Sequence, residues 1–205
     1  MQTVFAQMAI SLDGYVAGPG DGPGSPLGGG GERVHEWVFG VAAWRERQGL
    51  SGGRTDADHE IVAEATARSG AAVMGRRMFD NGEAPWGRNP PFRMPVFVVT
   101  HEAREPLVRQ GGTTFAFDTD GIVSALRRAR AAAGDKDIEI AGGADIVQQY
   151  LVAGLLDELE IHLAPVFLGG GVRLFDRPEL AGVRLQPTRV VASPGVTHVR
   201  LDVVR

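Results

Sequence analysis

Short apolar runs separated by segments with helical spacing predict an alternating α/β chain. Residues 4–10, 71–74 and 95–100 are nearly continuous apolar stretches, which is typical of strands covered on both faces. Residues 137–141 also predict a short buried strand. Between them, residues 121–133 carry Ile122, Ala125, Leu126 and Ala129 on one helical face. A second helix is predicted to open with the capping box Thr55-Asp56-Ala57-Asp58 and to run to about Ser69, with Gly70 as its stop. This alternation favours a largely parallel sheet between helices.

The last third of the chain has a different pattern. Leu159, Ile161 and Leu163 alternate with Glu158, Glu160 and His162, which predicts a strand covered on one face. Glu160 and His162 are either pocket residues or, as is more common, simply its polar face. Residues 183–192 and 196–204 flank Ser-Pro-Gly and predict an antiparallel hairpin. Residues 83–94 are predicted as a proline-rich connection.

The segment 18–31 is dense in glycine and proline. It is either a disordered loop or a lid over a reactive centre. It lies too early to separate two domains, so residues 1–205 are expected to form one domain. In the short helix that follows, His35 and Glu36 are expected at the surface and Trp37 in the core.

Composition narrows the classes of function. The chain has 43% hydrophobic and 22% charged residues and no apolar run long enough to span a bilayer, so neither a membrane protein nor a membrane partner is expected. A net charge of -4 offers no general attraction to nucleic acid. The absence of cysteine and of a leader pattern predicts a cytoplasmic protein. The five histidines lack metal-ligand spacing, so no metal site is predicted.

Three strand ends carry residues that suit an anionic ligand. Gly142 and Gly143 join a strand to a helix, where free N–H groups and the absence of Cβ atoms suit a diphosphate; an ordinary turn explains them equally well. Arg76 and Arg77 follow Gly75 and open a helix against its dipole, which favours a bound phosphate over a carboxylate partner such as Asp80.

The third of these strand ends and the end of the first strand are weaker candidates. Thr100 and His101, with Arg104 close by, end another strand and suit a ribose 2′-phosphate or else form a solvated loop. Asp13 lies at the end of the first strand, where ligands of α/β sheets bind, although an Asp-Gly pair more often bonds only its own turn. The chain has no G-x-G-x-x-G fingerprint, no G-x-x-x-x-G-K-[ST] loop and no G-x-S-x-G elbow.

An ordered set of motifs resembles a known family. Residues 10–17 (Ile-Ser-Leu-Asp-Gly-Tyr-Val-Ala), 73–77 (Val-Met-Gly-Arg-Arg), 140–144 (Ile-Ala-Gly-Gly-Ala) and 165–171 (Pro-Val-Phe-Leu-Gly-Gly-Gly) occur in this order. The set is similar to the dihydrofolate-reductase-like family that includes the C-terminal reductase domain of the bacterial riboflavin-biosynthesis enzyme. This resemblance implies a three-layer αβα fold with a mixed sheet and a C-terminal antiparallel hairpin.

The resemblance also implies a function and a set of roles. The expected activity is hydride transfer from NADPH to a small heterocycle, of the pterin or pyrimidine type, or to a sugar phosphate, by a homodimer. The implied cofactor-binding residues are Ala9, Val16, Gly75, Arg76, Arg77, Thr100, His101, Gly142, Gly143 and Ala144, and Asp13 faces the substrate as the candidate catalytic residue.

The chain departs from the family pattern in two ways. No residue clearly takes the place of the acidic group that dihydrofolate reductases carry on their first long helix, and there is no deaminase domain. The alternatives are therefore a nucleotide-binding module without turnover, or a flavin-binding protein.

Overall fold

The computed structural model describes residues 2–204, which form a nine-stranded sheet and a separate two-stranded one. The strands are β1 (Val4–Ser11), β2 (Tyr15–Ala17), β3 (Ser69–Gly75), β4 (Pro95–Val99), β5 (Leu107–Val108), β6 (Thr114–Asp118), β7 (Asp137–Gly142), β8 (Glu158–Ala164), β9 (Val172–Arg173), β10 (Arg184–Ser193) and β11 (Val196–Val204). The helices are α1 (Glu36–Phe39), α2 (Ala42–Arg47), α3 (Ala57–Arg68), α4 (Arg76–Trp86), α5 (Ile122–Ala132) and α6 (Ala144–Val152).

The strand order in the large sheet is β10-β11-β8-β1-β7-β3-β4-β6-β5. The six strands from β8 to β6 are parallel, while the β10–β11 hairpin and β5 are antiparallel. The small sheet pairs β2 with β9. Because parallel strands end at the same edge of a sheet, the loops after β3, β4, β6 and β7 lie side by side.

Helices cover both faces of the sheet. On one face, α5 and α6 pack against apolar residues of β1, β3, β7 and β8. On the other face, α4 packs against β3, β4 and β6, and α1, α2 and α3 form a third apolar cluster with Val196. The predicted three-layer αβα fold with a mixed sheet and a C-terminal hairpin is confirmed. Within residues 2–204 no helix has the length and apolarity needed to cross a bilayer.

The predicted end of α3 at about Ser69 is confirmed, because α3 ends at Arg68 and Ser69 is its C-cap. Gly70 lies in β3, and a Cβ there would lie 2.5 Å from the carbonyl oxygen of Ala133. One predicted boundary is wrong. The connection predicted from residue 83 begins later, because α4 continues through Pro85 and ends before Gly87, whose φ is 58°. The start of α3 lies one residue after the predicted capping box, because Asp56 rather than Thr55 is the N-cap and its Oδ1 accepts the N–H of His59 at 3.2 Å.

Candidate functional site

A cavity of about 1030 Å³ lies over the carboxyl ends of the parallel strands. Gly75 after β3, Thr100 after β4, Thr119 after β6 and Gly143 after β7 all line it. The three strand ends that the sequence singled out are therefore brought together. The loop after β6 is a fourth contributor, which the sequence analysis missed because Thr119 and Gly121 look like an ordinary helix start.

The junction of β7 and α6 provides the open position in this wall. The Gly142–Gly143 peptide is cis, and Ala144 begins α6. A Cβ added to Gly143 would meet no atom within 4 Å, and its φ of -70° suits any residue. A Cβ on Gly142 would instead lie 3.4 Å and 3.5 Å from the sulfurs of Met78 and Met8, and Gly142 itself does not line the cavity. At this helix N-terminus, where main-chain N–H groups lack intrahelical partners, Gly143 and Ala144 line the cavity.

The β3–α4 junction is more tightly packed. A Cβ on Gly75 would lie 2.7 Å from Cγ1 of Ile146, so this glycine allows α6 to approach the strand end. Arg76 donates to Asp80 at 2.7 Å and to Glu102 at 3.2 Å, and lies 3.4 Å from the Thr100 hydroxyl. These hydrogen bonds raise the pKa of Arg76 above its ordinary value, mainly through Asp80.

Arg77 is held by the glycine-rich segment. Its guanidinium makes a forked pair with the Asp21 carboxylate, which also accepts a hydrogen bond from Asn81 at 3.2 Å. Both arginines therefore have carboxylate partners, as the alternative interpretation of this pair expects. The Arg77 side chain is nevertheless 68% exposed, and Glu102 beside Arg76 is 79% exposed, so both guanidinium groups remain within reach of a ligand.

The loop after β4 carries Thr100 and His101, and both line the cavity. Thr100 is buried, and its hydroxyl accepts the N–H of Glu102 at 3.1 Å, which fixes the loop next to Arg76. His101 is exposed. Arg104 is not part of this group, because it donates to Glu83 at 3.0 Å and does not line the cavity.

The segment 18–31 is folded over the cavity. Main-chain hydrogen bonds join Gly18 to Leu27 at 2.8 Å and Gly29 to Pro19 at 2.9 Å. Asp21, Pro26 and Leu27 of this segment line the cavity, together with Trp44, Gln48 and Trp86. Of the two interpretations offered for this segment, the ordered cover is the one the structure shows. The glycine content of the segment could not predict the ion pair between Asp21 and Arg77.

Asp13 does not line the cavity. Its carboxylate accepts hydrogen bonds from the Ser11 hydroxyl at 2.6 Å and from the N–H groups of Leu168 and Gly169 at 3.1 Å and 2.7 Å. The Ser11 bond, above all, lowers the pKa of Asp13 to about 2. Because an ionised carboxylate has no proton to give, the structure does not support Asp13 as a proton donor; it joins the loop after β1 to the loop after β8.

The two residues expected beside the nicotinamide lie at the β1–β2 side of the sheet. Val16 on β2 lines the cavity. Ala9 on β1 does not line it, but is partly exposed on the opposite face of the strand from Met8 and Ile10. It pairs in register with His162 of β8.

The polar face of β8 is buried, which contradicts the predicted half-covered strand. Glu160 is fully buried and accepts hydrogen bonds from Gln7, Arg189 and Arg200 at 2.8 Å, 2.9 Å and 3.2 Å. His162 is buried between Trp37 and His198, with both ring centroids about 5 Å away. Alternation correctly indicated a strand, but α1 and α3 cover the side that it assigned to solvent.

His35 also differs from its expected surface position. It is only partly exposed, and its Nε2 atom is buried without a hydrogen-bond partner among residues 2–204. Burial lowers the pKa of its imidazole, and the ring hydrogen-bonds to the main chain of Val16. Trp37 lies in the core, as predicted.

Comparisons with solved structures find the same fold in proteins of low identity. A Shewanella sp. PV-4 protein named for riboflavin biosynthesis is 23% identical with a TM-score of 0.69, and each chain covers 100% of the other. A Thermotoga maritima diaminohydroxyphosphoribosylaminopyrimidine deaminase/5-amino-6-(5-phosphoribosylamino)uracil reductase is 14% identical with a TM-score of 0.60. Acinetobacter baumannii RibD is 19% identical with a TM-score of 0.61.

The extent of these matches differs. The present chain is covered over 99% and 100% by the Thermotoga and Acinetobacter proteins, but it spans only 57% and 59% of their lengths. No curated protein matches the chain. The model of the RibD C-terminal domain matches residues 2–199, which is nearly the whole sequence. By this match, the chain belongs to the RibD C-terminal domain family.

Proposed function

We propose that this chain is an NADPH-dependent reductase that transfers hydride to a small pyrimidine-like heterocycle. Family membership supports a reductase, and the Thermotoga protein of the same fold is named as a reductase of an aminouracil. The observation that carries the proposal is Gly143, an open position at a helix N-terminus in the wall of a large cavity. Such a junction accepts a diphosphate without rearrangement.

In this proposal the cofactor lies along the strand ends. The N–H groups of Gly143 and Ala144 meet the diphosphate, and Arg76, Arg77, Thr100 and His101 surround the adenosine end. A 2′-phosphate takes the place of Glu102 beside Arg76, since that carboxylate is the most exposed member of the cluster. Val16, which lines the cavity, flanks the nicotinamide, whereas Ala9 lies outside the lining. The segment 18–31 excludes water from the bound reactants.

The alternative function is a nucleotide-binding module without turnover. One observation favours it: Asp13, the candidate catalytic residue from the sequence, is an ionised carboxylate outside the cavity. NADPH oxidation, followed by its near-ultraviolet absorbance against pterins, pyrimidines, flavins and small carbonyls, separates the two functions. Turnover of any pyrimidine supports the reductase, and cofactor binding without turnover supports the module. A yellow purified protein would instead indicate a flavin.

The cofactor site is tested by Gly143→Val. The added side chain should fill the space that the diphosphate needs and lower NADPH affinity by about tenfold or more. Gly182→Val is the matched control, because Gly182 is exposed and a Cβ there also meets nothing within 4 Å. Calorimetric titration with NADPH measures both variants, and circular dichroism checks the fold. Equal NADPH affinity in the two variants would contradict a diphosphate site at Gly143. Gly142→Val is a poorer test, because Gly142 has a φ of 113°.

A further inference from the structure

The tip of the glycine-rich segment 18–31 is fastened to α4 through a single residue. Nε of Arg77 donates to the Asp21 carboxylate at 2.9 Å, a second guanidinium nitrogen completes the fork, and Asn81 donates to the same carboxylate at 3.2 Å. Within residues 2–204, all hydrogen bonds that join residues 19–26 to anything outside the segment are made by Asp21. The closed position of the tip therefore depends on this contact.

The segment holds its own shape without help from α4. At its neck the main chains are in close contact, because a Cβ on Gly18 would lie 1.9 Å from the carbonyl oxygen of Gly29. At its tip, Gly22 and Ser25 exchange two main-chain hydrogen bonds at 3.0 Å and 2.9 Å. Loss of the Asp21 contact would thus free the tip as a unit and leave these internal bonds intact.

Asp21 occupies a position that suits a stronger anion. Arg77 lies in the first turn of α4, where the helix dipole favours negative charge. Its side chain is 68% exposed, whereas that of Asp21 is 9% exposed, so solvent reaches the guanidinium and not the carboxylate. An ion pair with one exposed partner contributes little to stability. A phosphate carries more charge and pairs with arginine through two oxygens, so it is the better partner for Arg77.

A phosphate at Arg77 and the Asp21 contact exclude each other. Arg77 lines the large cavity and also an adjoining cavity of about 440 Å³, whose lining includes Asp21, Pro23 and Asn81. An anion bound to the guanidinium in either cavity would lie beside the Asp21 carboxylate. Like charges at such short range repel each other, so the carboxylate has to leave when the phosphate arrives.

We propose that the Asp21–Arg77 pair is an anion-operated latch. A phosphate group that binds at Arg77 displaces the Asp21 carboxylate, and the tip of segment 18–31 leaves α4 and opens the cavity to a second reactant. The released tip then closes on the bound molecules through Pro26 and Leu27, which line the cavity. The ligand class is a phosphate or diphosphate anion. The latch therefore goes beyond the proposed function and does not require NADPH as the source of that anion.

Spin labels on the segment provide a direct test. The chain has no cysteine, so Ser25→Cys at the exposed tip and Arg127→Cys at an exposed position of α5 give one defined label pair. Pulsed electron paramagnetic resonance measures the distance between the labels. Inorganic pyrophosphate at constant ionic strength should shift and broaden the distance distribution. Adding Asp21→Asn should produce the shifted distribution without any anion.

Pyrophosphate affinity provides the second test. Because coupling between two equilibria is reciprocal, the latch weakens anion binding by the factor by which the anion weakens the latch. Calorimetric titration should therefore show that Asp21→Asn binds pyrophosphate about fivefold or more tightly than the parent. Glu83→Gln is the matched control, because it also removes one negative charge, but its partners Arg104 and Arg109 lie outside the cavity lining. It should keep the affinity and the label distance of the parent.

The outcomes separate the latch from the cofactor proposal. Pyrophosphate that binds the parent without changing the label distance overturns the latch, and so does an absence of pyrophosphate binding to Asp21→Asn. An equal gain in affinity in Glu83→Gln would reduce the effect to net charge and would also overturn it. Opening by pyrophosphate with no binding of NADPH sustains the latch and contradicts the proposed cofactor. Binding of NADPH at an unchanged label distance sustains the cofactor and contradicts the latch.

Discussion

At the level of single residues, local partners decide what a charged side chain does. Asp13 was selected for its position after the first strand, but three hydrogen-bond donors within 3.1 Å make it a loop anchor. The sequence could not reveal this, because two of those donors lie 155 and 156 residues away. The positions of Arg76 and Arg77 could be predicted, whereas Asp21 as the partner of Arg77 could not, since it is 56 residues distant.

Ser11→Ala should raise the pKa of Asp13 towards its ordinary value of 3.8 from about 2. The hydroxyl donates to the carboxylate at 2.6 Å and is the main cause of the lowered pKa. Because the folded-state pKa is lowered, the contribution of Asp13 to stability is present above pH 3.8 and disappears as the pH falls towards 2. Carboxyl ¹³C titration by NMR measures the shift. An unchanged titration in the variant would mean that the N–H groups of Leu168 and Gly169 are enough to keep the pKa of Asp13 low.

Arg76→Ala should weaken NADPH by about tenfold more than NADH, because only NADPH carries a 2′-phosphate for the guanidinium to meet. Arg104→Ala is the control: it also removes an arginine from this end of the sheet, but Arg104 pairs with Glu83 outside the cavity lining. Calorimetric titration with both cofactors gives the four affinities. If Arg76→Ala lowers both affinities equally, Arg76 contacts the diphosphate or supports the fold.

At the level of elements, β8 shows that an alternating polar and apolar sequence predicts a strand but not which of its faces is exposed. Alternation identified the strand, but it reports polarity and not exposure. The polar side is buried because α3 lies over it and arginines from the hairpin neutralise its carboxylates. Glu64 on α3 accepts hydrogen bonds from Arg189 at 2.6 Å and Arg200 at 2.7 Å, and both arginines also donate to Glu160. Such long-range pairing has no local signal in the sequence.

Glu64→Gln should make the free energy of unfolding depend less on pH below about pH 4.5. Partial burial raises the pKa of Glu64, but the hydrogen bonds from Arg200 and Arg189 outweigh it and lower the pKa to about 2. The contribution of this carboxylate is therefore present above its ordinary pKa of 4.5 and disappears as the pH falls towards 2. Thermal melts between pH 7 and about pH 3 should converge for variant and parent. Glu60→Gln, an exposed position on the same helix, should follow the parent throughout.

At the level of the whole molecule, the sequence predicted the fold well because its motifs occur in a fixed order at strand ends. The parallel order then places those ends side by side, so their convergence follows from topology. The cover of residues 18–31 and the burial of His162 and His198 did not follow, since each depends on tertiary contacts between distant segments. The cavity wall combines residues that the sequence predicted, such as Gly75, Thr100 and Gly143, with residues that it did not predict, such as Asp21, Trp44 and Trp86.

The homodimer implied by the family resemblance stays a prediction. On the outermost strand β10, Leu185 and Val190 are 39% and 63% exposed. Natural proteins usually cover or pair an edge strand that carries exposed apolar side chains. Sedimentation velocity should therefore give twice the chain mass of 21.8 kDa. A sedimentation mass equal to one chain across the accessible concentration range would contradict it.

The placement of the three tryptophans gives the protein its own optical reporters. Trp44 and Trp86 lie in the cavity wall, so a bound dihydronicotinamide, which absorbs where indole emits, should quench them by energy transfer. Trp37 lies against His162 and His198, and protonated imidazole quenches indole emission at such short range. Single-tryptophan variants would thus let one fluorimeter follow cofactor arrival and the buried histidines separately.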